Sequence, residues 1–255
     1  MKKETDIPIL IADFGRSGQG WLSYMLCYIL NATYIEPYDF LKGVKYSTSD
    51  EILKYTQGRL EGRKKTKYSL VIKTHNFPAP NFNLTNKVIY LTRDPRDVAI
   101  SWYFMHLANM QGAKNEGPQL IISRGLKAFL RNHILRIKMF SFLRTAIGWR
   151  KHVLGWQAVP YFYVRYEDIS NNTGKVLCDL LDYLSEPVDI KIVREAIEKF
   201  SFERVAKRKK GQENPLNPEL RKGIVGDYKN HMTRYHKLIF RIICGKVASE
   251  FSYEL

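Results

Sequence analysis

The chain has 255 residues, 45% of them hydrophobic and 13% aromatic, and its 41 lysines and arginines against 25 acidic residues give a formal charge of +16. That apolar content excludes a disordered chain, while the charge favours anionic ligands without separating nucleotide, nucleic acid, anionic lipid and acidic substrate. Three widely spaced cysteines, Cys27, Cys178 and Cys244, form no CxxC pair, which argues against a disulfide framework or zinc site and fits a reducing compartment.

In chain order, "MKKETDIPILIADFG" starts basic, but its apolar stretch is short and broken by Asp13, unlike a secretory leader. The run "IPILIA" (7–12) reads as a strand, and Trp21, Leu22, Met25, Leu26, Ile29 and Leu30 recur at helical spacing. The ten residues of the apolar stretch 21–30 are too few for a bilayer, which needs about 20. A charge run, "GRLEGRKKTK" (58–67), reads as a solvated loop before the strand "SLVIKT" (69–74). A third strand, "KVIYLT" (87–92), precedes a less clean helical pattern, and residues 125–156 read as helix. The fourth strand is "YFYVRY" (161–166), and "KRKKGQENPLNPELRKG" (207–223) predicts a mobile loop near an anion. Strands that are apolar through most of their length and alternate with helices predict an α/β fold with a central parallel sheet. We expect a single domain over residues 1–255, soluble and cytoplasmic. In such sheets ligands bind beyond the carboxyl ends of the strands, which directs attention to Arg16, Lys73 to His75, Arg93, Glu167 and Asp168.

Three stretches carry chemistry. In "FGRSGQGW" (14–21), Gly15 and Gly18 permit a sharp turn, and the amides from Ser17 to Gly20 open a helix beginning near Trp21. Unpaired N–H groups and the helix dipole favour an anion there, with Arg16 adding a full charge; an exposed structural turn is the alternative. In "KTHNFP" (73–78), period-two alternation puts Lys73 and His75 on one side, so a cation and a proton acceptor point to one place. In "YLTRDPRDVAISWYF" (90–104), Asp94 is a good N-cap and Pro95 a good first-turn residue. Arg93 and Ser101 are about two turns apart, so one phosphate meets both only along the helix side.

Together and in this order, these pieces resemble the sulfotransferases that use 3′-phosphoadenosine 5′-phosphosulfate (PAPS), particularly the soluble kind acting on small molecules. "GWRKHVLGW", "RYEDI", "SFERV" and, most specifically, "LRKGIVGDYKNHMT" (220–233) extend the likeness over most of the chain. The resemblance implies a P-loop-nucleotide-kinase-like fold and sulfuryl transfer to a hydroxyl or amine of a small-molecule acceptor. It implies that Arg16, Ser17, Gly18, Gln19 and Gly20 hold the 5′-phosphosulfate and that Trp21 stacks on adenine, with Tyr166 and Phe202 completing that pocket. Arg93, Ser101, Arg221, Lys222 and Gly223 would bind the 3′-phosphate. His75 would be the general base, with Lys73 and Arg16 stabilising developing charge, and no metal is implied.

The chain also departs from the family pattern. Arg16 stands where lysine is usual, Gln19 and Gly20 where threonines are, and Tyr228 where tryptophan is. Lys229 and Thr233 of a dimer motif survive, but Arg234 and Leu238 replace its valine and glutamate, so that dimer is not supported. A small-molecule or nucleotide kinase of related fold predicts a Gly-Lys-Ser/Thr that the first loop lacks. A basic module binding nucleic acid or membrane predicts clustered cations, whereas here they are dispersed and no nucleic-acid recognition motif accompanies them. The acceptor pocket is expected within 34–60 and 104–150, and its chemistry stays open between an aromatic or lipid-like alcohol and an acidic compound.

Overall fold

The apolar runs at 9–12 and 88–92 become strands covered on both faces, with Ile9, Leu10, Ile11, Val88, Ile89 and Leu91 all buried, whereas in the runs at 70–74 and 162–165 only Val71 and Val164 are buried and their strand neighbours are half-buried. The computed structural model describes residues 8–35, 66–78, 87–115, 137–214 and 220–255. In chain order its elements are β1 (Pro8–Ala12), α1 (Gln19–Leu30), β2 (Thr33–Ile35), β3 (Leu70–Thr74), β4 (Lys87–Thr92), α2 (Pro95–Asn115) and α3 (Lys138–Trp156). They continue with β5 (Phe162–Arg165), α4 (Tyr166–Tyr183), α5 (Ile190–Lys199), α6 (Phe202–Ala206), a 3₁₀ turn (Asp227–Asn230) and α7 (Arg234–Glu250).

The strands form one parallel sheet of order β2-β3-β1-β4-β5, flanked by helices, as expected of an α/β fold. Strand β1 is central, with Ala12 opposite Thr74 of β3 and opposite Tyr90 of β4. After β1 the chain fills the β3 side and then crosses to β4 and β5, so the carboxyl end of β1 is the switch point where such sheets open a crevice. Strand β2 was not expected. It has three residues, too few for a periodic signal, and it pairs with β3 through Thr33, Tyr34 and Ile35. The part of the expected 125–156 helix that precedes 137 lies outside the described residues, as does 58–65 of the charge run.

The chain forms two compact units. One comprises the residues up to Thr92 with Gly155–Val205; the other comprises Arg93–Leu154 with Ala206–Leu255. The first holds the sheet, with α1, α4 and α5 burying Leu22, Met25, Leu26, Leu177, Leu180, Leu181 and Val193 in one apolar cluster with its strands. Each such side chain contributes roughly 1.5–3 kcal/mol through burial. Helix α1 stops at Asn31, which takes the left-handed conformation at φ 53°. Helix α5 starts at Asp189, whose carboxylate accepts from the amides of Lys191 and Ile192.

In the second unit, α3 and α7 meet through Phe142 and Phe240 (ring centroids 6.4 Å) and through the Cys244 thiol, which donates to the Ala146 carbonyl. The expected cap holds: Asp94 Oδ1 accepts from the Arg96 amide at 2.9 Å and opens α2 at Pro95. The described parts of 207–223 contain neither helix nor strand. Among the described residues, no helix is long and apolar enough to cross a membrane.

Candidate active site

The sequence-predicted residues fall into two sets, one in each unit. Arg16 to Trp21, Lys73, His75, Tyr166 and Phe202 belong to the sheet unit; Arg93, Ser101, Arg221, Lys222 and Gly223 belong to the other.

In the sheet unit, the loop after β1 turns by left-handed residues: Gly15 at φ 93°, Arg16 at 65° and Gly18 at 91°. Arg16 is the notable one, since a side chain in that region costs energy that its surroundings must offset. Gly18 is required twice over, because a Cβ there would also lie 2.5 Å from Cδ2 of Tyr166. Tyr166 meets Trp21 edge to face, with centroids 6.1 Å apart, so two of the three predicted adenine neighbours are already in contact. Phe202, the third, is half-buried at the start of α6.

Helix α1 begins at Gln19, and its first intrahelical bond runs from the Leu22 amide to the Gly18 carbonyl. The amides of Gln19 and Gly20 therefore precede the helical ladder, at the positive end of the dipole. The Gln19 side chain points inward. It is 3% exposed, and its amide nitrogen donates to the carbonyls of Ile11 and Thr74, tying the ends of β1 and β3. What Gln19 offers an anion is thus its backbone N–H. Ser17 is fully buried, its amide donates to Asp13 Oδ2 at 3.3 Å, and its hydroxyl has no hydrogen-bond partner among the described residues.

Lys73 is half-buried in β3, opposite Ile11. His75 stands one residue past that strand, so strand alternation no longer sets its ring. Asp13 sets it instead: His75 Nδ1 lies 2.5 Å from Asp13 Oδ1, and the carboxylate is completely buried. The segment after His75 is pinned by Trp156, whose indole donates to the Asn76 carbonyl at 3.1 Å, and by Thr74, whose hydroxyl accepts from the Asn76 amide. Trp156 is in turn stacked on Tyr90, and Phe77 lies against Gly155.

In the second unit the predicted cations are held by carboxylates. Arg93 donates to the Ile224 carbonyl at 2.9 Å and lies 3.6 Å from Asp97 Oδ2. Asp97 also accepts from the amides of Gly226 and Tyr228, which fixes the turn that presents Asp227. Burial pushes the Asp97 carboxyl up, against the pull of Arg93 and those two amides. Asp227, 2% exposed, receives hydrogen bonds from Arg221, Lys222 and Asn230, and His231 lies 3.3 Å away. Burial alone would raise its carboxyl, but the hydrogen bonds from Arg221 and Asn230 and the charges of Arg221 and Lys222 bring it down to about 2. Burial holds the His231 ring below its usual value despite Asp227.

Glu213 completes the cluster, 3.2 Å from Arg221 and 3.6 Å from Lys222, and Arg221 also lies over the Phe104 ring. Arg208 donates to the Leu220 and Arg221 carbonyls and so shapes the backbone entering Gly223, which is left-handed at φ 65°. Ser101 sits on α2, 8% exposed. Among the described residues no group of histidine, cysteine and acidic side chains is arranged to hold a metal.

Sequence reasoning gave no role to Asp13, Asp97, Glu213 or Asp227, and it weighed Trp156 between the acceptor pocket and core packing. A charged residue closing an apolar strand, as Asp13 does, was the available signal for the first.

Residues 6–252 match the family model described as "Sulfotransferase domain". The chain is 27% identical over 250 residues to Sulfotransferase 1B1 of Mus musculus, covering 88% of this chain and 77% of that one. It is 25% identical over 276 residues to 3-alpha-hydroxysteroid sulfotransferase of Cavia porcellus, covering 98% and 88%. Its fold is similar to that of mouse sulfotransferase SULT7A1, solved in complex with PAP, with a TM-score of 0.59 at 20% identity over 98% of this chain and 89% of that one.

Proposed function

The chain belongs to the sulfotransferase family, and on that premise we propose that it transfers a sulfuryl group from PAPS to a hydroxyl or amine of a small-molecule acceptor, with His75 as general base. Membership makes it a PAPS-dependent transferase; the roles of individual residues are our reading of the geometry. The observation that carries the reading is the loop from Gly15 to Gly20 at the switch point of the sheet, with His75 held on the same loop's Asp13. A buried Ser17 hydroxyl lacking a partner among the described residues and a glycine cradle closed by Tyr166 fit a phosphosulfate beside an aromatic base.

PAPS supplies the sulfuryl group on a phosphate leaving group. Arg16, Ser17 and the amides of Gly18, Gln19 and Gly20 would hold that phosphosulfate. Trp21, Tyr166 and Phe202 enclose the adenine, and Arg93, Ser101, Arg221, Lys222 and Gly223 bind the 3′-phosphate. His75 takes the acceptor's proton, and Lys73 and Arg16 stabilise charge gathering around the transferred group. Positioning and fixed cations supply most of the acceleration, as in phosphoryl transfer. The residues from 1 to 255 act as one sulfotransferase domain, soluble and cytoplasmic, with no specific nucleic-acid partner.

The test is a pair of measurements. PAP at 100 times its Kd stabilises by about 2.7 kcal/mol, which raises Tm by roughly 5–10 °C in a chain of this size, whereas ATP does not; an equal or reversed effect sinks the reading. Transfer from ³⁵S-labelled PAPS is then screened over 4-nitrophenol, a hydroxysteroid, a long-chain alcohol, an arylamine and a hexose. His75→Ala loses about 10²–10⁴-fold of turnover while keeping PAP binding.

A further inference from the structure

A histidine that takes a proton through one ring nitrogen needs its other nitrogen committed, otherwise the neutral ring divides between two tautomers and only one of them is competent. His75 Nδ1 faces Asp13 twice: it hydrogen-bonds the Asp13 backbone carbonyl at 3.3 Å, and the buried Oδ1 carboxylate oxygen, which has no hydrogen-bond partner among the described residues, lies 2.5 Å away. Both are acceptors only, so the proton of the neutral ring belongs on Nδ1, which leaves Nε2 as the basic nitrogen on the far side of a ring that is 38% exposed.

Asp13 is itself held. Its Oδ2 accepts from the Ser17 amide at 3.3 Å, its own amide donates to the Thr74 carbonyl at 3.2 Å, and its side chain is completely buried. Ala12 and Thr74 are register partners across β1 and β3, so Asp13 and His75 are the next pair in line, just where the strands end. Tyr90 is another ionisable neighbour of Asp13, and burial pushes its hydroxyl up, with the charge of Asp13 adding to the effect. A buried carboxylate is costly unless paired, and among the described residues His75 is its charged partner when protonated.

We propose that Asp13 is a positioning residue for the sulfuryl transfer, holding His75 as the Nδ1–H tautomer with Nε2 directed to the acceptor and stabilising the imidazolium that forms. The proposal rests on His75 being the general base. In the step, the acceptor O–H or N–H bond breaks and its proton moves to Nε2. The acceptor atom's electron pair forms the new bond to sulfur, and the old S–O bond breaks with its pair leaving on the bridging oxygen of PAP. The Asn76 and Trp156 contacts described above keep the ring's segment in place while this happens.

Long-range ¹H–¹⁵N spectra of the full chain, with His75 assigned against His75→Asn, read the tautomer without any acceptor. Nδ1–H is expected, and Asp13→Asn, whose amide can also donate to the ring, shifts population towards Nε2–H. With the best acceptor of the panel, Asp13→Asn is expected to lower kcat on the order of 10²-fold while KM for PAPS and PAP affinity stay within about threefold. A merely structural role would lower PAP affinity and Tm instead, and that outcome overturns the proposal. Full turnover in Asp13→Asn when His75→Ala is inactive also overturns it and leaves His75 as the base; turnover in His75→Ala overturns both. If Asp13→Asn fails to fold, the wild-type spectrum decides, and an Nε2–H ring refutes the assignment.

Discussion

In the proposed reading the loop after β1 and the cation cluster around Asp227 would each take an anion of the donor, but they are built from different materials. The loop relies on backbone: left-handed residues at Gly15, Arg16 and Gly18 turn amides outward at the start of α1, and its carboxylate, Asp13, is spent on His75 and Ser17. The cluster relies on side chains: Arg221 and Lys222 are each shared between Asp227 and Glu213. The lesson is that the first region is defined by backbone shape, whereas the second holds its cations by pairing them with acids, which a phosphate bound there as proposed would have to outcompete. Substitutions should therefore act sterically in one and electrostatically in the other.

The largest effect should come from the loop. In Gly18→Ala the new methyl meets Tyr166 at 2.5 Å on a backbone already at φ 91°, and strain plus overpacking should lower stability by about 2–4 kcal/mol. PAP binding should weaken with it, by an amount insensitive to salt. Adding Tyr166→Ala relieves the clash but not the left-handed φ, so the double variant should recover only part of the loss in a urea melt. Complete recovery would mean that sterics alone, without backbone strain, define this loop.

How legible these two regions were in sequence follows from the same contrast. Glycine spacing announced the loop, because a tight turn leaves a local mark, and doubly buried strands announced themselves as apolar runs. Strand β2 left no such mark in three residues, and nothing local predicts a left-handed Arg16. The pairing of Asp13 with His75, 62 residues apart, exists only through the β1–β3 register, and Asp97 reaches Gly226 across 129 residues. "RKG" displayed the cations of the cluster, but their carboxylates are assigned by tertiary structure, which no spacing rule encodes.

A second effect tests the cluster's charge pairing through pH. The Asp227 carboxyl is lowered to about 2 from an ordinary 3.8, so its ionised form stabilises the folded chain above about pH 4 and that stability is lost as pH falls through 2. The contribution is about 2 kcal/mol at pH 6 and roughly half that at pH 3. In a His231→Gln background, which removes the neighbouring ring's own titration, the stability gap to Asp227→Asn should therefore narrow by about 1 kcal/mol between those values. A gap that stays constant would mean the carboxylate is held by packing rather than by its cations.

The smallest effect is the most discriminating. Glu213 reaches both Arg221 and Lys222 from a side chain that is 35% exposed, so it holds them where solvent screens the interaction, unlike the buried Asp227. In the proposed reading a 3′-phosphate would compete with Glu213 for the same two donors, and it would displace an exposed acid more cheaply than a buried one. Glu213→Gln should then tighten PAP binding two- to fivefold at low salt, about 0.5–1 kcal/mol, and the gain should shrink as ionic strength rises. Titration calorimetry at two salt concentrations measures it. A loss of affinity would instead make Glu213 a scaffold that aims the cations at the phosphate, and the cluster would then resemble the loop, selecting its ligand by shape.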